Sequence, residues 1–329
     1  NPYTCIENTQ AMLDHYGVTP RRNLMTHEEE YPIPGSGFAA DARANAGLAQ
    51  IRDWARTHGL ASTATLDDHL CLLVARNAYH PAADAIRARP WDGVDRIEAL
   101  AATLTLEDES TRPLVVRVLT TFVALLAHAA MVPADADEGV AAQIVLVLQG
   151  PQGKRKTRWL RSLMPDPRWF REGAVFDPKN RDSVQQATSR LLVELGELDA
   201  TFRRSDVAAL KAHLTNRADV YRAPYARRAE STARRTVYAA TVNEAGYLHD
   251  DTGNRRFATI AVSACDPDHA IDMQQVLAQG AQLPPDRCYL AADDEAAVVA
   301  KNATHEATDP MADLIASYWQ RDDREIPQW

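Results

Sequence analysis

The amino-acid sequence predicts a globular protein with an acidic overall charge. Its 329 residues are enough for two or three units of ordinary domain size, and 46% of them are hydrophobic against 25% charged. The net charge of −9 excludes a protein that coats nucleic acid over its whole surface, because such binding depends on Lys and Arg neutralising phosphates.

No uninterrupted apolar run reaches the roughly 18 residues of a membrane span, and no basic-then-apolar signal segment opens the sequence. We therefore expect no membrane partner and a cytoplasmic location. The cysteines show no paired spacing of a zinc site or a disulfide framework, so we expect reduced thiols. Because the sequence begins with Asn1 and not with methionine, we expect a fragment of a longer protein.

The first part of the chain, residues 1–133, is predicted to be a helical N-terminal region. Apolar residues recur there at helical spacing, and turn signals rich in Pro and Gly separate the segments. A polar stretch, Pro133-Ala-Asp-Ala-Asp-Glu-Gly139, then indicates a boundary. The predicted helices are Ala44 to His58, Asp67 to Tyr79, Ala82 to Arg87 and Leu114 to Met131.

The middle of the chain, residues 134–265, is predicted to be an α/β core with a central sheet, because short apolar runs alternate there with helical segments. Helical spacing returns after Asp266, so we predict a C-terminal helical region over residues 266–329. The predicted strands are Ile144 to Leu148, Leu191 to Leu195, Thr236 to Val242 and Phe257 to Val262. The predicted helices are Thr157 to Leu163, Asp206 to Leu214, His269 to Gln279, Asp293 to Thr304 and Pro310 to Gln320.

A glycine loop, G-P-Q-G-K-R-K-T, joins the first predicted strand of the core to the following helix. In the pattern G-x-x-x-x-G-K-[ST], loop amides wrap phosphates, the lysine contacts the outer ones and the hydroxyl holds magnesium. Arg155 stands where that pattern has glycine, and a side chain there blocks the backbone or demands an unfavourable torsion unless it points outward. A basic turn with no ligand is the alternative. The predicted nucleotide-binding residues are Gly150, Gly153, Lys154, Arg155, Lys156, Thr157 and Arg158.

Two glutamates follow the second predicted strand of the core. A strand end beside a phosphate loop is where an ATPase needs one carboxylate to order magnesium and another to orient or deprotonate the attacking water. We predict Glu194 and Glu197 as catalytic residues, with Glu194 and Thr157 as magnesium ligands. The alternative is a solvated strand end, which commonly carries carboxylates.

The next two strands also carry polar neighbours. Asn243 follows one of them, where its amide could hold the lytic water, although Asn at a strand end is also ordinary turn chemistry. Arg255 and Arg256 precede the other, in the glycine turn T-G-N-R-R. Paired arginines there could clamp phosphate or reach the nucleotide of a neighbouring subunit, the alternative being a surface ion pair.

One segment is basic within this acidic protein. Between Arg203 and Arg235 there are nine basic residues against three acidic ones, which predicts a confined anion-binding surface. Its centre mixes cations with aromatic rings, a composition that tracks phosphates and stacks bases of a single strand, and Pro224 favours a loop or hairpin. A subunit interface or a solvated hairpin is the alternative. The predicted nucleic-acid contacts are Tyr221, Arg222, Tyr225, Arg227 and Arg228.

Four motifs stand in one order: G-P-Q-G-K-R-K-T, V-E-L-G-E-L, Y-R-A-P-Y-A-R-R, and T-V-N-E followed by T-G-N-R-R-F. This order resembles the virulence-associated protein E family, which is similar to superfamily III helicases and phage or plasmid primase-helicases. L-L-V-A-R-N-A-Y-H-P and P-W-D-G-V-D-R-I resemble that family too, so the likeness covers roughly residues 65 to 295.

The resemblance implies a P-loop, AAA-like ATPase core that uses ATP and Mg²⁺, assembles as a homo-oligomeric ring such as a hexamer, and acts on DNA, preferably single-stranded, in the replication of phages or mobile elements. By the matching motifs, Lys156 and Thr157 bind phosphate and magnesium, and Glu194 and Glu197 are the acidic pair. Asn243 is then the sensor, and Arg255 or Arg256 the arginine that acts in trans.

Three functions stay open at this level. The first is the DNA motor that the resemblance implies. The second is a hydrolysis-deficient module that still binds DNA or protein, because the family usually has glycine where this chain has Arg155. The third is a defence or signalling switch in which a nucleotide controls assembly. The acidic pair favours the first, since a dead site has no chemical need for it.

Overall fold

The computed structural model describes residues 5–60, 62–175, 177, 180–196, 204–221, 230–243 and 254–305, and its first part combines helices with a small sheet. Two strands of this sheet pair antiparallel and a third adds to the first in parallel. The elements are α1 (Ile6–His15), β1 (Arg21–Asn23), β2 (Glu29–Glu30), α2 (Arg43–Thr57), α3 (Thr63–Arg76) and β3 (Ala78–Tyr79). The prediction of an all-helical N-terminal region is therefore wrong for these strands, which are too short to show a strand pattern in the sequence.

The middle of the chain builds a central sheet of six strands. The elements that lead into it are α4 (Pro81–Ala88), α5 (Ile97–Ala102), β4 (Leu104–Leu106) and α6 (Arg112–Met131). The following elements are β5 (Val145–Gln149), α7 (Lys156–Ser162), β6 (Phe170–Ala174), α8 (Arg181–Ala187), β7 (Leu192–Leu195), α9 (Arg204–Thr215), β8 (Ala218–Tyr221), β9 (Glu230–Ala233), β10 (Val237–Val242), β11 (Phe257–Cys265), α10 (Met273–Gln282) and α11 (Ala292–Asn302).

The strand order in the central sheet is β4-β11-β5-β10-β7-β6. Five of these strands run parallel, and β4 joins the edge antiparallel to β11. Strands β8 and β9 form a separate antiparallel hairpin. Helices pack on the sheet, so the predicted mixed α/β fold with a central sheet is confirmed.

The hydrophobic cores divide the chain at a different place from the polar stretch after residue 133. Helices α1, α2 and α3 pack mainly with one another in a small core of their own. Helices α4, α5 and α6 instead share one core with the central sheet, α10 and α11. Helix α6 is buried on nearly all sides, so it belongs physically with the strands that follow it. The three predicted domain ranges stay a prediction.

Helix α6 and the turn before it, residues Glu109–Met131, are long and apolar enough to cross a membrane by length and composition alone. About two thirds of the most apolar window is nevertheless buried inside this fold, where the helix packs against α10. Arg117 interrupts the apolar run and pairs with Asp294 of α11 at 2.7 Å. The burial and the ion pair are typical of a core helix.

Two predicted helix boundaries are wrong, and capping side chains explain both. Helix α3 ends at Arg76 because the Asn77 amide bonds the carbonyl oxygens of Leu73 and Pro20, and strand β3 follows. Helix α10 begins at Met273, after Asp272, whose carboxylate accepts from the backbone N–H of Gln275. The helix predicted from Pro310 to Gln320 lies outside the described residues.

Candidate functional site

The glycine loop lies at the carboxyl end of β5, between that strand and α7. Gly150 packs so closely on β11 that a Cβ atom there would stand 2.0 Å from the backbone oxygen of Val262. Gly153 has a φ of +81°, and a Cβ atom there would meet no other group within 4 Å. The first glycine is thus required by close approach and the second by its backbone torsion.

Arg155 takes the backbone torsion that a glycine would ordinarily supply. Its φ of +60° and ψ of +27° lie in the left-handed region, immediately before α7 begins. The side chain is about half exposed, and its Nη1 lies 3.1 Å from a carboxylate oxygen of Asp268, beyond the end of β11. Arg158, one turn into α7, binds the same carboxylate. The arginine therefore keeps the shape of the turn and directs its charge to Asp268.

Lys156 is the first residue of α7 and is buried. Its ammonium group donates to the backbone oxygen of Gly150, to that of Pro151 at 3.0 Å, and to Oδ1 of Asn243 at 3.1 Å. These contacts fold the lysine back over its own loop. The lysine and the asparagine, which lie 87 positions apart in the sequence, are thus brought together.

Thr157 and Glu194 also meet. The threonine hydroxyl donates to Oε1 of Glu194 at 2.7 Å, and the hydroxyl of Thr241 donates to the same oxygen at 2.8 Å. Burial raises the pKa of the Glu194 carboxyl, and the two hydroxyl donors partly oppose that shift by stabilising the carboxylate. A buried acid is therefore held by two neutral donors next to the loop.

Sheet topology explains why these groups converge. Strand β10 lies between β5 and β7, with Val242 in register with Gln149 and Ala239 in register with Glu194. The carboxyl ends of parallel strands share one edge, where ligands bind in open α/β sheets. Within the residues that the structure describes, no group of three or more His, Cys, Asp or Glu side chains gathers into a metal cluster. The carboxylate of Glu194 and the hydroxyl of Thr157, the two predicted magnesium ligands, are hydrogen-bonded to each other here.

Arg255 and Arg256 lie at the amino end of β11, at the end of the sheet opposite to the glycine loop. They belong to a 3₁₀ turn, Asn254–Arg256, that leads directly into β11, and Phe257 is in register with Val145 at the start of β5. The loop begins at Gly150, five residues beyond Val145, which at strand spacing is about 17 Å away. The structure does not bring the two arginines to the loop of their own chain. Arg255 instead pairs with Glu295 of α11 at 3.4 Å.

The basic segment is not wholly a surface, which corrects the prediction drawn from its composition. Lys211, Arg234 and Arg235 are buried. The Arg234 guanidinium closes on Asp219 and on the backbone oxygen of His213. The sequence gives the number of basic residues but does not show which of them are buried.

The centre of the basic segment is framed by the β8–β9 hairpin. Tyr221 ends β8 and is in register with Glu230, so the predicted hairpin is confirmed at its base. The residues predicted to contact nucleic acid after Tyr221, and the second predicted acid, lie outside the described residues. They are Arg222, Tyr225, Arg227, Arg228 and Glu197.

Two residues of the site were missed by sequence reasoning. Thr241 is a polar residue inside the apolar run of β10, and this interruption was a readable signal for a buried hydrogen bond. Asp268 gave no such signal, because an acid in a loop is ordinary and only the fold places it against Arg155 and Arg158.

Comparison with protein families places the chain. The sequence model of the Virulence-associated protein E-like domain matches residues 86–307. The chain belongs to this family, as its motifs predicted. The matched range begins in α4 and includes the glycine loop, Glu194, Asn243 and the arginine turn.

Two matching solved structures have low sequence identity to this chain. A search of curated proteins found no match. Among solved structures, the A form apo structure of the NrS-1 C terminal region is 14% identical with a TM-score of 0.48, covering 89% of this chain and 74% of that one. The apo structure of the NrS-1 C terminal region (305-718) is 15% identical, with the same TM-score and coverage. Similarity at this level carries no argument about the activity.

Proposed function

We propose that this protein is a magnesium-dependent ATPase that acts on DNA. One observation carries the proposal: Lys156, Thr157, Glu194 and Asn243 converge at the carboxyl edge of the sheet, around a loop whose glycines leave no side chain in the way. This is the combination that phosphoryl transfer requires, namely a cation and loop amides for phosphate, oxygen ligands for a metal and an amide for water.

Each residue has a chemical role in this proposal. Lys156 lies on carbonyl oxygens of the loop, positions from which its ammonium can turn to the outer phosphates of ATP. Thr157 and Glu194 would hold Mg²⁺, since this cation takes one or two protein oxygens and completes its shell with phosphates and water. The metal neutralises phosphate charge when bound.

Asn243 is proposed to orient the attacking water. Its side-chain oxygen accepts a hydrogen bond from Lys156, the cation proposed for the outer phosphate, and this contact supports the role. Glu197 is proposed as the carboxylate that accepts the proton of that water, with Glu194 as its neighbour on the metal. Stabilisation of charge by Lys156, together with positioning, would supply most of the rate.

The geometry of Arg155 favours a working loop over a silenced one. The hydrolysis-deficient alternative rests on the loss of glycine at this position. Arg155 nevertheless adopts the left-handed torsion that a glycine would supply, and its half-exposed guanidinium binds Asp268. The physical reason for expecting a dead site is thereby weakened.

The DNA part of the proposal is supported by membership of the virulence-associated protein E-like family and by the motif order shared with helicase-like proteins. We infer a homo-oligomeric ring, acting on single-stranded DNA in the replication of a phage or mobile element. The basic residues that stand between β8 and β9 in the sequence would contact the strand.

Hydrolysis of ATP by the purified chain with Mg²⁺, with and without single-stranded DNA, tests the proposal. Wild type is expected to turn over, DNA to stimulate it, and Lys156→Ala to lower the rate at least about 100-fold. Hydrolysis by Arg155→Gly but not by wild type would favour the hydrolysis-deficient binding module. A rate of hydrolysis that DNA does not change would favour the nucleotide-controlled switch. Arg168→Ala is the matched control, since this exposed arginine pairs only locally with Asp166.

A further inference from the structure

A buried amide on the last turn of α11 clamps the arginine turn. Asn302 is 1% exposed, and its Nδ2 donates to the backbone oxygens of Asn254 and Phe257, each at 2.7 Å. Its Oδ1 accepts from the Thr259 hydroxyl at 2.8 Å. Both amide hydrogens are used, so the orientation of this side chain is fixed by three partners.

The two carbonyl groups that Asn302 binds stand on either side of Arg255 and Arg256. Fixing both ends of so short a segment fixes the position and direction of its two side chains. Glu295, two helical turns earlier on the same helix, holds Arg255 at 3.4 Å. Helix α11 therefore sets the geometry of the whole turn.

Arg256 has one buried side-chain donor atom. Its Nε has no hydrogen-bond acceptor among the residues that the structure describes. Burial lowers the pKa of its guanidinium and the charge of Arg255 lowers it further, while the carboxylate of Glu295, which pairs with Arg255, acts in the opposite direction. The turn lies at the amino end of β11, away from the glycine loop. A buried N–H donor in this fixed turn is suited to bind an anion that comes from another molecule.

We propose that Asn302 is a positioning residue: it holds the Asn254–Arg256 turn so that Arg256 meets the terminal phosphate of a nucleotide bound to the adjacent copy in a ring. The inference rests on the proposed ATPase function. A head-to-tail contact in a ring joins two different surfaces of neighbouring copies. The arginine turn of one copy can therefore face the glycine loop of the next. The competing role for Asn302 is merely to anchor α11 to β11.

Asn302→Asp separates these roles. It keeps the size and the acceptor of the side chain, removes both N–H donors and sets a carboxylate against two carbonyl oxygens. Thr259→Val is the matched control, because it removes the third hydrogen bond of Asn302 and leaves both clamp bonds in place. Circular dichroism and thermal unfolding show that each variant is folded before any activity is compared.

The first readout is cleavage by trypsin after Arg255 or Arg256, identified by mass spectrometry of the fragments. Asn302→Asp is expected to speed cleavage at this turn and Thr259→Val to leave it unchanged. This readout needs no ATPase activity. An equal rate in the two variants would overturn the clamp even if hydrolysis were normal.

The second readout is activity. Asn302→Asp is expected to bind ATP as wild type does and to hydrolyse it about 100-fold more slowly, the cost of a misplaced catalytic group. Mixing it with Lys156→Ala should restore activity, because the intact loop of one variant then faces the intact arginine turn of the other. About a quarter of the interfaces in a random head-to-tail ring meet this condition.

Restored activity in the mixture supports positioning in trans, since a merely structural defect in each variant would persist. A mixture as inactive as its components, with both variants folded, would overturn the proposal. Absence of hydrolysis by wild type would instead remove the proposed function, and the trypsin result would then show separately whether the clamp itself exists.

Discussion

The glycine loop lies at the carboxyl ends of the parallel strands, and the arginine turn lies at the amino end of β11. The two sites differ in whether their polar groups find partners within the described part of the chain. The loop has its partners in its own chain: Lys156 reaches Asn243, and Thr157 reaches Glu194. The arginine turn is equally well fixed, by Asn302, but Arg256 presents a buried Nε without a partner among the described residues. We infer from this difference that the loop is a site within one chain, whereas the arginine turn acts on a second molecule.

This difference makes the two sites separable by experiment. Changes at the loop should affect nucleotide binding in a single chain, whereas changes at the arginine turn should affect turnover only where copies meet. Concentration-dependent activity is the general signature, because head-to-tail contacts form by mass action.

The largest expected effect is that of Arg256→Ala on hydrolysis. Loss of an arginine that stabilises transition-state charge in trans costs about 10³-fold in rate. The dissociation constant of ATP should stay the same, because the proposed nucleotide site is the glycine loop at the opposite end of the strands. Steady-state hydrolysis and equilibrium binding of ATP measure the two quantities, and equal losses in both would contradict the assignment.

Gly150→Ala should have the next largest effect, on stability and on nucleotide binding. The new Cβ would stand 2.0 Å from the backbone oxygen of Val262, so β5 and β11 must move apart, at a cost of about 3 kcal/mol. Gly153→Ala is the matched control: its Cβ has space, and only the φ of +81° is strained, at about 1 kcal/mol. Denaturant unfolding of both variants compares the two costs, and equal losses would argue against the close approach.

The charge of Glu194 predicts a dependence on pH. Burial raises the pKa of the Glu194 carboxyl in the folded protein. In the pH window between the usual and the raised pKa, the folded protein therefore keeps a proton that the unfolded chain has released. Stability without ligand should therefore fall as pH rises through that window. Binding of magnesium nucleotide should weaken as pH falls through the raised pKa, since the ionised carboxylate is the proposed metal ligand.

Glu194→Gln should remove both of these pH dependences and weaken magnesium-dependent ATP binding on the order of tenfold, because a charged oxygen ligand is lost. Titration calorimetry across pH measures the affinity. An unchanged pH profile in the variant would show that another group is responsible.

The smallest effect concerns Arg155. Arg155→Gly should stabilise the protein by about 1 kcal/mol relative to Arg155→Ala, because only glycine takes the φ of +60° without strain. Both variants lose the pair with Asp268, so the difference isolates the backbone torsion. Thermal unfolding measures it, and identical midpoints would show that the turn relaxes.

The position of the glycine loop between a strand and a helix could be predicted from sequence because the signal is local. A run of apolar residues, two glycines and a Lys-Thr pair identify a strand, a turn and a helix start without any distant contact. Glu194 and Asn243 followed from the rule that parallel strands end at one edge. The left-handed torsion of Arg155 did not follow, since a basic residue at a glycine position is compatible with several turns.

The remaining features depend on contacts that a single sequence does not display. Strands β1 and β2 have three and two residues, too few for an alternating pattern. The basic segment was read from its charge, but Arg234 is neutralised by Asp219, which only the hairpin brings beside it. Asn302 is one polar residue near a helix end, and its role is visible only from the carbonyl groups that it meets.

Strand β4 has a consequence for any shortened form of this protein. Three residues, Leu104–Leu106, pair with the carboxyl-terminal part of β11, from Val262 to Cys265, and satisfy backbone groups that would otherwise form an open edge. A fragment that begins after Leu106 would expose the hydrogen-bonding groups of this part of β11. Such an edge pairs readily with other chains, so that fragment should aggregate even though its glycine loop is intact.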